Sequence, residues 1–312
     1  MFDLANPIFT DADKAREHLE SLYWPKGPTC RHCRNADATR ISKLAGKSTR
    51  PGVYWCNECG KPFTVTVGTV MEDSKIPLNK WVLAFHLMAA SKKGMSAHQL
   101  HRMLGVTYKT AWFLCMRVRE AMADYEPNKN GGPLGGSGKV VEADETVVGG
   151  KSKNRAFDDP APKKAVVTLI ERGGRARSKH IANIDSKHLR PFIMKNASRK
   201  SKLNTDEAAY YIHMGREFAD HRTVDHSRSE YAYVFDGDTV TVNHAENYFS
   251  ILKRGIYGTF HSVSEAHMSR YLAEFDFRFN NREKLGVNDA VRSAKAILAA
   301  EGKRLTYHQP AH

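Results

Sequence analysis

Four of the five cysteines form two closely spaced pairs. Cys30 and Cys33 make one Cys-x-x-Cys turn, and Cys56 and Cys59 make the second. Each turn can direct two thiolates toward one ion, and two such pairs seldom arise from cysteines that are merely buried or redox-active. Four thiolates complete a tetrahedral Zn²⁺ shell and leave no position open for water. We therefore predict a closed, structural zinc site, with Cys115 left over as a core residue.

A second group of residues with chemical potential consists of carboxylates. Asp144 lies in the Val-rich, strand-like stretch KVVEADETVV, where three acids are costly unless one of them coordinates a cation. Strand alternation places Glu142 on the face of Asp144, as a candidate accessory, and turns Glu145 to the opposite face, where we expect it to be solvated. Asp206 ends the strand-like KLNTD, at the position where ligand-binding side chains emerge from α/β sheets. Its rival, Asp185, stands between a strand and a helix and is predicted to cap the helix.

The third candidate acid is Glu246, in the helical stretch NHAENYFSILKRGIYGTFH. Lys253 returns to nearly the same helix face seven residues later, so Glu246, Ser250 and Lys253 form one polar stripe. An isolated Glu–Lys pair of this kind is usually surface decoration, and it gains weight here only from the other acids. The neighbouring stripe is apolar and is predicted to pack on a sheet: Phe249, Leu252 and Ile256.

Several elements are predicted before the acids. Residues 10–23 indicate a short helix capped by Thr10, and residues 28–67 are typical of a β-ribbon around the cysteines. Residues 78–123 show a helical period that breaks at Lys92-Lys93-Gly94 and at Gly105, which predicts three helices.

The last two of these helices have the spacing of a DNA-reading helix-turn-helix. Ser96 can cap the first, Gly105-Val106-Thr107 can form the turn, and the second begins near Tyr108. Tyr108 and Lys109, with Lys92-Lys93 as further candidates, would then face DNA. A plain helical hairpin whose glycine ends a helix is the alternative.

The second half of the chain reads as an α/β succession. Residues 126–138 are rich in Gly and Pro without apolar periodicity, which predicts a flexible linker and a domain boundary. Strands and one helix are expected between residues 139 and 226, with a hairpin turn at FDGDT. Three helices should follow, at about 244–257, 264–280 and 287–301.

The composition favours a polyanionic partner. The 312 residues carry a formal charge of +14 and a pI near 9.5, so nucleic acid is the leading partner class. No run of 18 apolar residues and no signal sequence is found, which makes membrane binding the weaker reading. Five cysteines are a poor disulfide framework and indicate a reducing, intracellular compartment.

These residues together resemble a known family: bacterial insertion-sequence transposases of the DDE type, in the branch with a zinc ribbon before a catalytic domain of ribonuclease H-like fold. The resemblance extends from about Ala15 to Arg282. It rests on six stretches: YWPKGPTCRHC, GTVMEDSKIPLNKW, KGMSAHQLHRMLGVTYKTAW, EADETVVGGK, NHAENYFSILKRGIYGTFHSVS and YLAEFDFRFNNR.

The resemblance implies which residues act. Asp144, Asp206 and Glu246 would be the metal-binding acids for Mg²⁺ or Mn²⁺, and Lys253, with Arg254 beside it, would contact DNA. Members of this branch vary at the third acid, which leaves the neighbouring asparagines, Asn243 and Asn247, as alternatives. The resemblance also implies an oligomer on double-stranded DNA, at element ends and target, in the bacterial cytoplasm and at the nucleoid.

With the resemblance, the chain divides into six parts: an N-terminal helix (1–27), the zinc ribbon (28–67), the helix-turn-helix-like region (75–125), the linker (126–138), an α/β catalytic domain of ribonuclease H-like fold (139–282), and a C-terminal helix and tail (283–312). The expected activity is metal-dependent cleavage of DNA at the element ends, followed by strand transfer. A plain metal-dependent nuclease and a catalytically inactive zinc-ribbon regulator are the rival hypotheses.

Overall fold

The structure is a computed structural model. It describes residues 3–123, 132–149, 163–225 and 232–306. Residues 126–131 of the predicted linker and 307–312 of the predicted tail lie outside these ranges. The described residues fall into two compact units. The first draws on Met1–Ser91, Met95–Tyr125 and Glu283–His312, and the second on Lys92–Gly94 and Glu126–Arg282.

The first unit contains the ribbon and most of the predicted early helices. Its elements are α1 (Pro7–Thr10), α2 (Ala12–Tyr23), β1 (Ile41–Lys43), β2 (Tyr54–Cys56), β3 (Lys61–Phe63), α3 (Leu78–Ala90), α4 (Ala97–Leu104), α5 (Tyr108–Met122) and α10 (Asp289–Leu298). The breaks predicted at Lys92-Lys93-Gly94 and at Gly105 do separate α3, α4 and α5. Thr10 was wrong as the cap of α2: it ends α1, and Asp11 accepts hydrogen bonds from the backbone N–H groups of Asp13 and Lys14.

The ribbon is an antiparallel three-stranded sheet in the order β1-β2-β3. Its inner face carries Tyr54 and Phe63, whose rings meet the Trp24 ring at 5.4 and 5.7 Å between centroids. This aromatic cluster is buried at the end of α2, which gives the short strands an apolar base. A three-stranded ribbon this small needs such packing to be stable.

The second unit is built on a five-stranded sheet. Its elements are β4 (Val140–Val148), β5 (Lys164–Glu171), β6 (Ala176–Ile181), α6 (Ser186–Asn196), β7 (Lys202–Asp206), α7 (Ala209–Gly215), β8 (Asp220–Val224), β9 (Ala232–Phe235), β10 (Asp238–Thr241), α8 (Asn243–Gly255) and α9 (Glu265–Asn280). The strand order is β6-β5-β4-β7-β8, with β4, β5 and β6 antiparallel and β7 and β8 parallel to β4. This is the ribonuclease H-like arrangement, so the predicted fold is confirmed.

Helices cover both faces of this sheet. Val141 and Ala143 of β4 point into a core shared with α6 and α7, while Val148 of the same strand joins a core shared with α8 and α9. The apolar stripe predicted on α8 packs in this second core: Phe249, Leu252 and Ile256. The two faces of β4 thus place successive side chains beside different helices.

The glycine-rich stretch before β4 is anchored where the structure describes it. The backbone N–H of Leu134 donates to the carbonyl oxygen of Asn196 at 2.7 Å, and Ser198 N–H donates to the Leu134 carbonyl at 2.8 Å. Leu134 itself is fully buried. Among the described helices, none is long and apolar enough to cross a membrane.

Candidate metal centres and DNA-contact residues

The four ribbon cysteines converge on one point. Their sulfur atoms all lie within 4.8 Å of one another, with 3.6 Å between Sγ of Cys30 and Cys59 and 3.7 Å between Sγ of Cys33 and Cys56. Zinc–sulfur bonds of about 2.3 Å in a tetrahedron require sulfur separations of about 3.8 Å. The cysteine set therefore fits a structural zinc ion, as predicted from the spacing.

In both cysteine turns the residue after the second cysteine has a left-handed backbone conformation. Arg34 and Gly60, each directly after the second cysteine of its pair, adopt the left-handed region with φ near 60°. Burial raises the pKa of the Cys56 thiol, but the N–H groups of Cys59 and Glu58, with hydrogen bonds from Cys33 and Cys30, lower that pKa to about 6. Burial and the neighbouring thiols raise the pKa of Cys59 to about 12, so without a metal ion the four sulfurs share protons that zinc binding must displace.

Two of the three candidate catalytic acids, Asp144 and Asp206, lie at one level of the sheet. β4 and β7 are parallel neighbours, and Glu142 lies opposite Asn204, so Asp144 and Asp206 follow two residues further along both strands. One carboxylate oxygen from each of Asp144, Glu145 and Asp206 lies within 4.8 Å of the others. The structure therefore brings Asp144 and Asp206 together, as the sequence predicts.

The electrostatics of this cluster call for a cation. Burial and the negative charges of Glu145, Asp206 and Glu246 together raise the pKa of Asp144 to about 8. Carboxylate oxygens are the hard ligands that Mg²⁺ and Mn²⁺ prefer, and a divalent ion would relieve the repulsion between them. The donor set therefore fits a divalent metal.

Glu145 is not the solvated residue that strand alternation suggests. Its two carboxylate oxygens accept hydrogen bonds from the hydroxyls of Tyr210 and Tyr211, consecutive residues of α7. The expectation was wrong because α7, the short helix after Asp206, was not foreseen, and it covers the sheet face to which Glu145 points. A tyrosine pair soon after a candidate ligand was the available signal.

Glu246 and Lys253 lie on α8 and not on the sheet. Glu246 is exposed in the first turn of α8; it is outside the close cluster, but its charge acts on Asp144. Lys253 is half-buried, and Arg254 is exposed with its guanidinium bonded to the Ser250 carbonyl oxygen at 3.1 Å. Asp185 caps α6 by accepting from His188 N–H at 2.9 Å, the structural role predicted for it.

The helix-turn-helix candidate has the predicted local geometry. Ser96 caps α4, Gly105 ends it in the left-handed conformation at φ 59°, and Thr107 caps α5. Tyr108 is 45% exposed, and its ring stacks on the exposed ring of His98 at 4.2 Å. Lys109 is exposed beside it.

Comparison with known proteins identifies two domains. A family described as the ISXO2-like transposase domain matches residues 133–280, and a family described as the transposase zinc-ribbon domain matches residues 10–62. Together the two matches cover more than half of the chain. An uncharacterized protein in transposable element ISH50 of Halobacterium salinarum is 26% identical over 287 residues, which is 86% of this chain and 91% of that protein.

Two solved structures are also similar in part. A pre-cleavage Mos1 transpososome matches at 11% identity and a TM-score of 0.24, over 68% of this chain and 76% of its own. The Drosophila P element transposase strand transfer complex matches at 8% identity and a TM-score of 0.25, over 70% of this chain and 62% of its own. These similarities are too low to support the fold assignment, which rests on the strand order.

The two domain matches occur in the order that the resemblance requires, with the ribbon first and the transposase domain on the five-stranded sheet. The four-cysteine cluster lies in the first and the acidic cluster in the second. The chain therefore carries an ISXO2-like transposase domain behind a transposase zinc-ribbon domain, and it is a DNA transposase of the DDE type.

Proposed function

We propose that Asp144, Asp206 and Glu246 hold the divalent metal ions with which this transposase cuts DNA at its element ends and joins the freed ends to a target. The observation that supports this most is the level placement of Asp144 and Asp206 on parallel neighbouring strands, where Asp144 has a pKa raised to about 8. The charges of Glu145, Asp206 and Glu246 all act on Asp144, which is proposed as the ligand shared between the ions.

Each side chain has a role in the two reactions. Metal ions bound here would supply Lewis acidity, activating a water for phosphodiester hydrolysis and stabilising the leaving 3′ oxygen. Lys253 lies two helical turns beyond Glu246 on α8 and would neutralise a DNA phosphate beside the acids. In strand transfer the freed 3′-OH replaces water as the nucleophile. No covalent enzyme intermediate is required, so no nucleophilic Ser, Cys or Tyr has to be sought.

Double-stranded DNA is bound through more than the acidic site in this proposal. Tyr108 and Lys109 at the start of α5, and Arg254 on α8, are the further candidate contacts, because all three are exposed and two are cationic. The resemblance to the family supports a homo-oligomer on DNA and action at the bacterial nucleoid.

One set of assays tests the catalytic proposal. Purified protein is incubated with element-end DNA, a target plasmid and Mg²⁺, beside the variants Asp144→Asn and Asp185→Asn. Asp144→Asn should lower cleavage and joining about 10³-fold, whereas Asp185→Asn, which retains a good helix cap, should remain active. Cleavage without joining by the wild type would favour the nuclease, and binding without either reaction would favour the regulator. An active Asp144→Asn protein would refute the assignment.

The DNA contacts have a separate test. Replacing Lys109 by Gln should reduce the slope of log affinity against log salt by about 1, since one phosphate contact is lost. Lys14, which pairs with Glu17 on α2, is the control: Lys14→Gln should leave the slope unchanged. An unchanged slope in the Lys109 variant would remove this residue from the interface.

A further inference from the structure

One fully buried carboxylate in the sheet domain has no part in the reaction described above. Glu142 lies on β4 two residues before Asp144, on the same strand face, and is 0% exposed. A buried carboxylate is costly unless its oxygens are well bonded. Three donors reach it: His244 N–H at 2.9 Å, His244 Nδ1 at 2.8 Å and a guanidinium nitrogen of Arg172 at 3.0 Å.

Two of these donors belong to the first turn of α8. His244 is the second residue of that helix, and Glu142 accepts from both its backbone and its ring. The residue before the helix, Val242, has no side-chain oxygen with which to cap it. The first N–H of the helix, that of Asn243, donates instead to Thr241 Oγ1 at 3.1 Å.

Glu142 therefore performs the task of a helix cap from another element. The first four N–H groups of a helix need acceptors, and a carboxylate at this end is also favoured by the helix dipole. Arg172 completes the arrangement, because it donates to Glu142 and to the Thr239 carbonyl of β10 at 2.7 Å. A carboxylate that is paired with Arg172 and hydrogen-bonded by His244 thus joins the start of α8 directly to β4.

Glu246 lies in the helical turn that His244 joins to β4. Glu246 follows His244 by two residues in the same helical turn, while Asp144 follows Glu142 by two residues on the strand. A shift of the first turn of α8 relative to β4 therefore changes the distance between Glu246 and Asp144. Among the hydrogen bonds that the structure describes, those from His244 to Glu142 are the ones that join the first turn of α8 to β4.

We propose that Glu142 is a positioning residue for the metal site, which sets Glu246 relative to Asp144 by capping α8 through His244. This inference rests on the proposed assignment of Asp144, Asp206 and Glu246 as ligands. It concerns placement and not charge, so a variant that keeps the charge and moves the oxygens separates the two. Glu142→Asp withdraws the carboxylate by one carbon–carbon bond, about 1.5 Å.

The test measures Mn²⁺ affinity of the full chain without DNA, by the electron paramagnetic resonance signal of free Mn²⁺. Glu142→Asp should weaken Mn²⁺ binding about tenfold, as is usual for residues that orient metal ligands. His244→Ala removes the ring donor and keeps the backbone N–H, so a smaller loss of about threefold is expected. It is the second variant should Glu142→Asp not fold, since the His244 side chain is 41% exposed.

The matched control is Glu171→Gln. Glu171 is a buried acid on β5 that bonds Lys139 and the Gly135 N–H and has no bond to α8 among its recorded partners. Its variant should bind Mn²⁺ within twofold of the wild type. If it loses affinity as Glu142→Asp does, general weakening of the domain explains both, and the inference is overturned.

A double variant shows whether Glu142 acts through Glu246. Glu142→Asp combined with Glu246→Gln should bind Mn²⁺ no more weakly than Glu246→Gln alone, because the positioned residue is already lost. Additive losses, or wild-type affinity in Glu142→Asp, would overturn the inference and leave the proposed function intact. If instead Asp144→Asn binds Mn²⁺ normally, the ligand assignment itself fails.

Discussion

The zinc ribbon and the acidic site obtain their metal ligands in different ways. The ribbon takes all four from one short stretch, Cys30 to Cys59, and its two turns have their own backbone closure. The acidic site takes Asp144 from β4, Asp206 from β7 and, as proposed, Glu246 from α8. A local site can be formed by spacing alone, whereas a distributed site exists only when the sheet and α8 are in register.

The two sites also differ in how far their ligands depend on residues from other elements. The sulfur atoms of the ribbon have the separations that tetrahedral coordination of one zinc ion requires, and four of them complete the ligand set. The carboxylates instead depend on hydrogen-bond donors from other elements: Tyr210 and Tyr211 for Glu145, and His244 with Arg172 for Glu142. We therefore expect that loss of the zinc ion disrupts the ribbon, and that loss of these hydrogen-bond donors weakens metal binding at the acidic site.

Loss of zinc should have the largest effect, and it should be confined to the ribbon. Cys56→Ser removes one of four ligands, and a ribbon of three short strands has little else to hold it. We expect NMR amide dispersion to be lost for residues 28–62, element-end binding to weaken, and Mn²⁺ affinity to stay within twofold of wild type. Cys115→Ser, at a buried cysteine outside the cluster, should keep one zinc per chain by metal analysis.

Two results would contradict this prediction. If the ribbon keeps its amide dispersion after verified zinc loss, its fold does not depend on the ion. If Mn²⁺ affinity falls together with the ribbon, the two sites are coupled and cannot be treated as independent.

The second prediction concerns pH, to which the two sites should respond differently. Burial and neighbouring acids raise the pKa of Asp144 to about 8, so below that pH the metal-free site holds a proton that a metal ion must displace. Mn²⁺ affinity should therefore rise about tenfold per pH unit from pH 6 to 8 and level off above it. Zinc occupancy should stay full over this range, because structural zinc held by thiolates binds with roughly 10–16 kcal/mol near pH 7 and displaces the thiol protons.

Titration calorimetry in buffers of different ionisation enthalpy checks the sign. About one proton should be released on Mn²⁺ binding at pH 6.5 and almost none at pH 9. A flat Mn²⁺ affinity between pH 6 and 8 would mean that Asp144 is already ionised in the metal-free protein.

How far the sequence predicts these sites follows from the same contrast. The cysteine spacing is enough for the ribbon, and the sequence also predicts the places of two acids: Asp206 lies at a strand end beside Asp144, and Asp185 caps a helix. Glu145 was misplaced because alternation gives the face of a strand but not the helix that covers it. The α7 helix has only seven residues, too few for a periodic signal.

The role of Glu142 was equally out of reach of local pattern. Its partners, Arg172 and His244, are distant in sequence, and only the fold brings them to β4. An acid on a strand face predicts a ligand or an ion pair equally well, and nothing near it in the chain decides between them.

The tyrosine pair supplies the third prediction. Tyr210→Phe with Tyr211→Phe removes both donors to Glu145, whose pKa burial already raises and these hydroxyls lower. Glu145 should then hold a proton more readily or turn away, and Mn²⁺ affinity at pH 7 should fall about tenfold. Tyr233→Phe, which loses a bond to the Thr223 carbonyl in the same unit, should leave affinity unchanged. Unchanged affinity in the double variant would make Glu145 irrelevant to the metal.

The smallest expected effect separates the two aspartates that compete in sequence. Asp185 caps α6 by accepting hydrogen bonds from the ring Nδ1 and from the backbone N–H of His188. These two bonds lower the pKa of Asp185. Asp185→Ala should therefore lower the Tm by about 3 °C at pH 7, whereas Asp185→Asn should stay close to the wild type. Because the folded pKa is depressed, the difference between Asp185→Ala and wild type should shrink as pH falls through that pKa. Neither variant should alter Mn²⁺ affinity, whereas Asp206→Asn should weaken it. Weaker Mn²⁺ binding by Asp185→Asn would return Asp185 to the list of ligands and remove the reason for preferring Asp206.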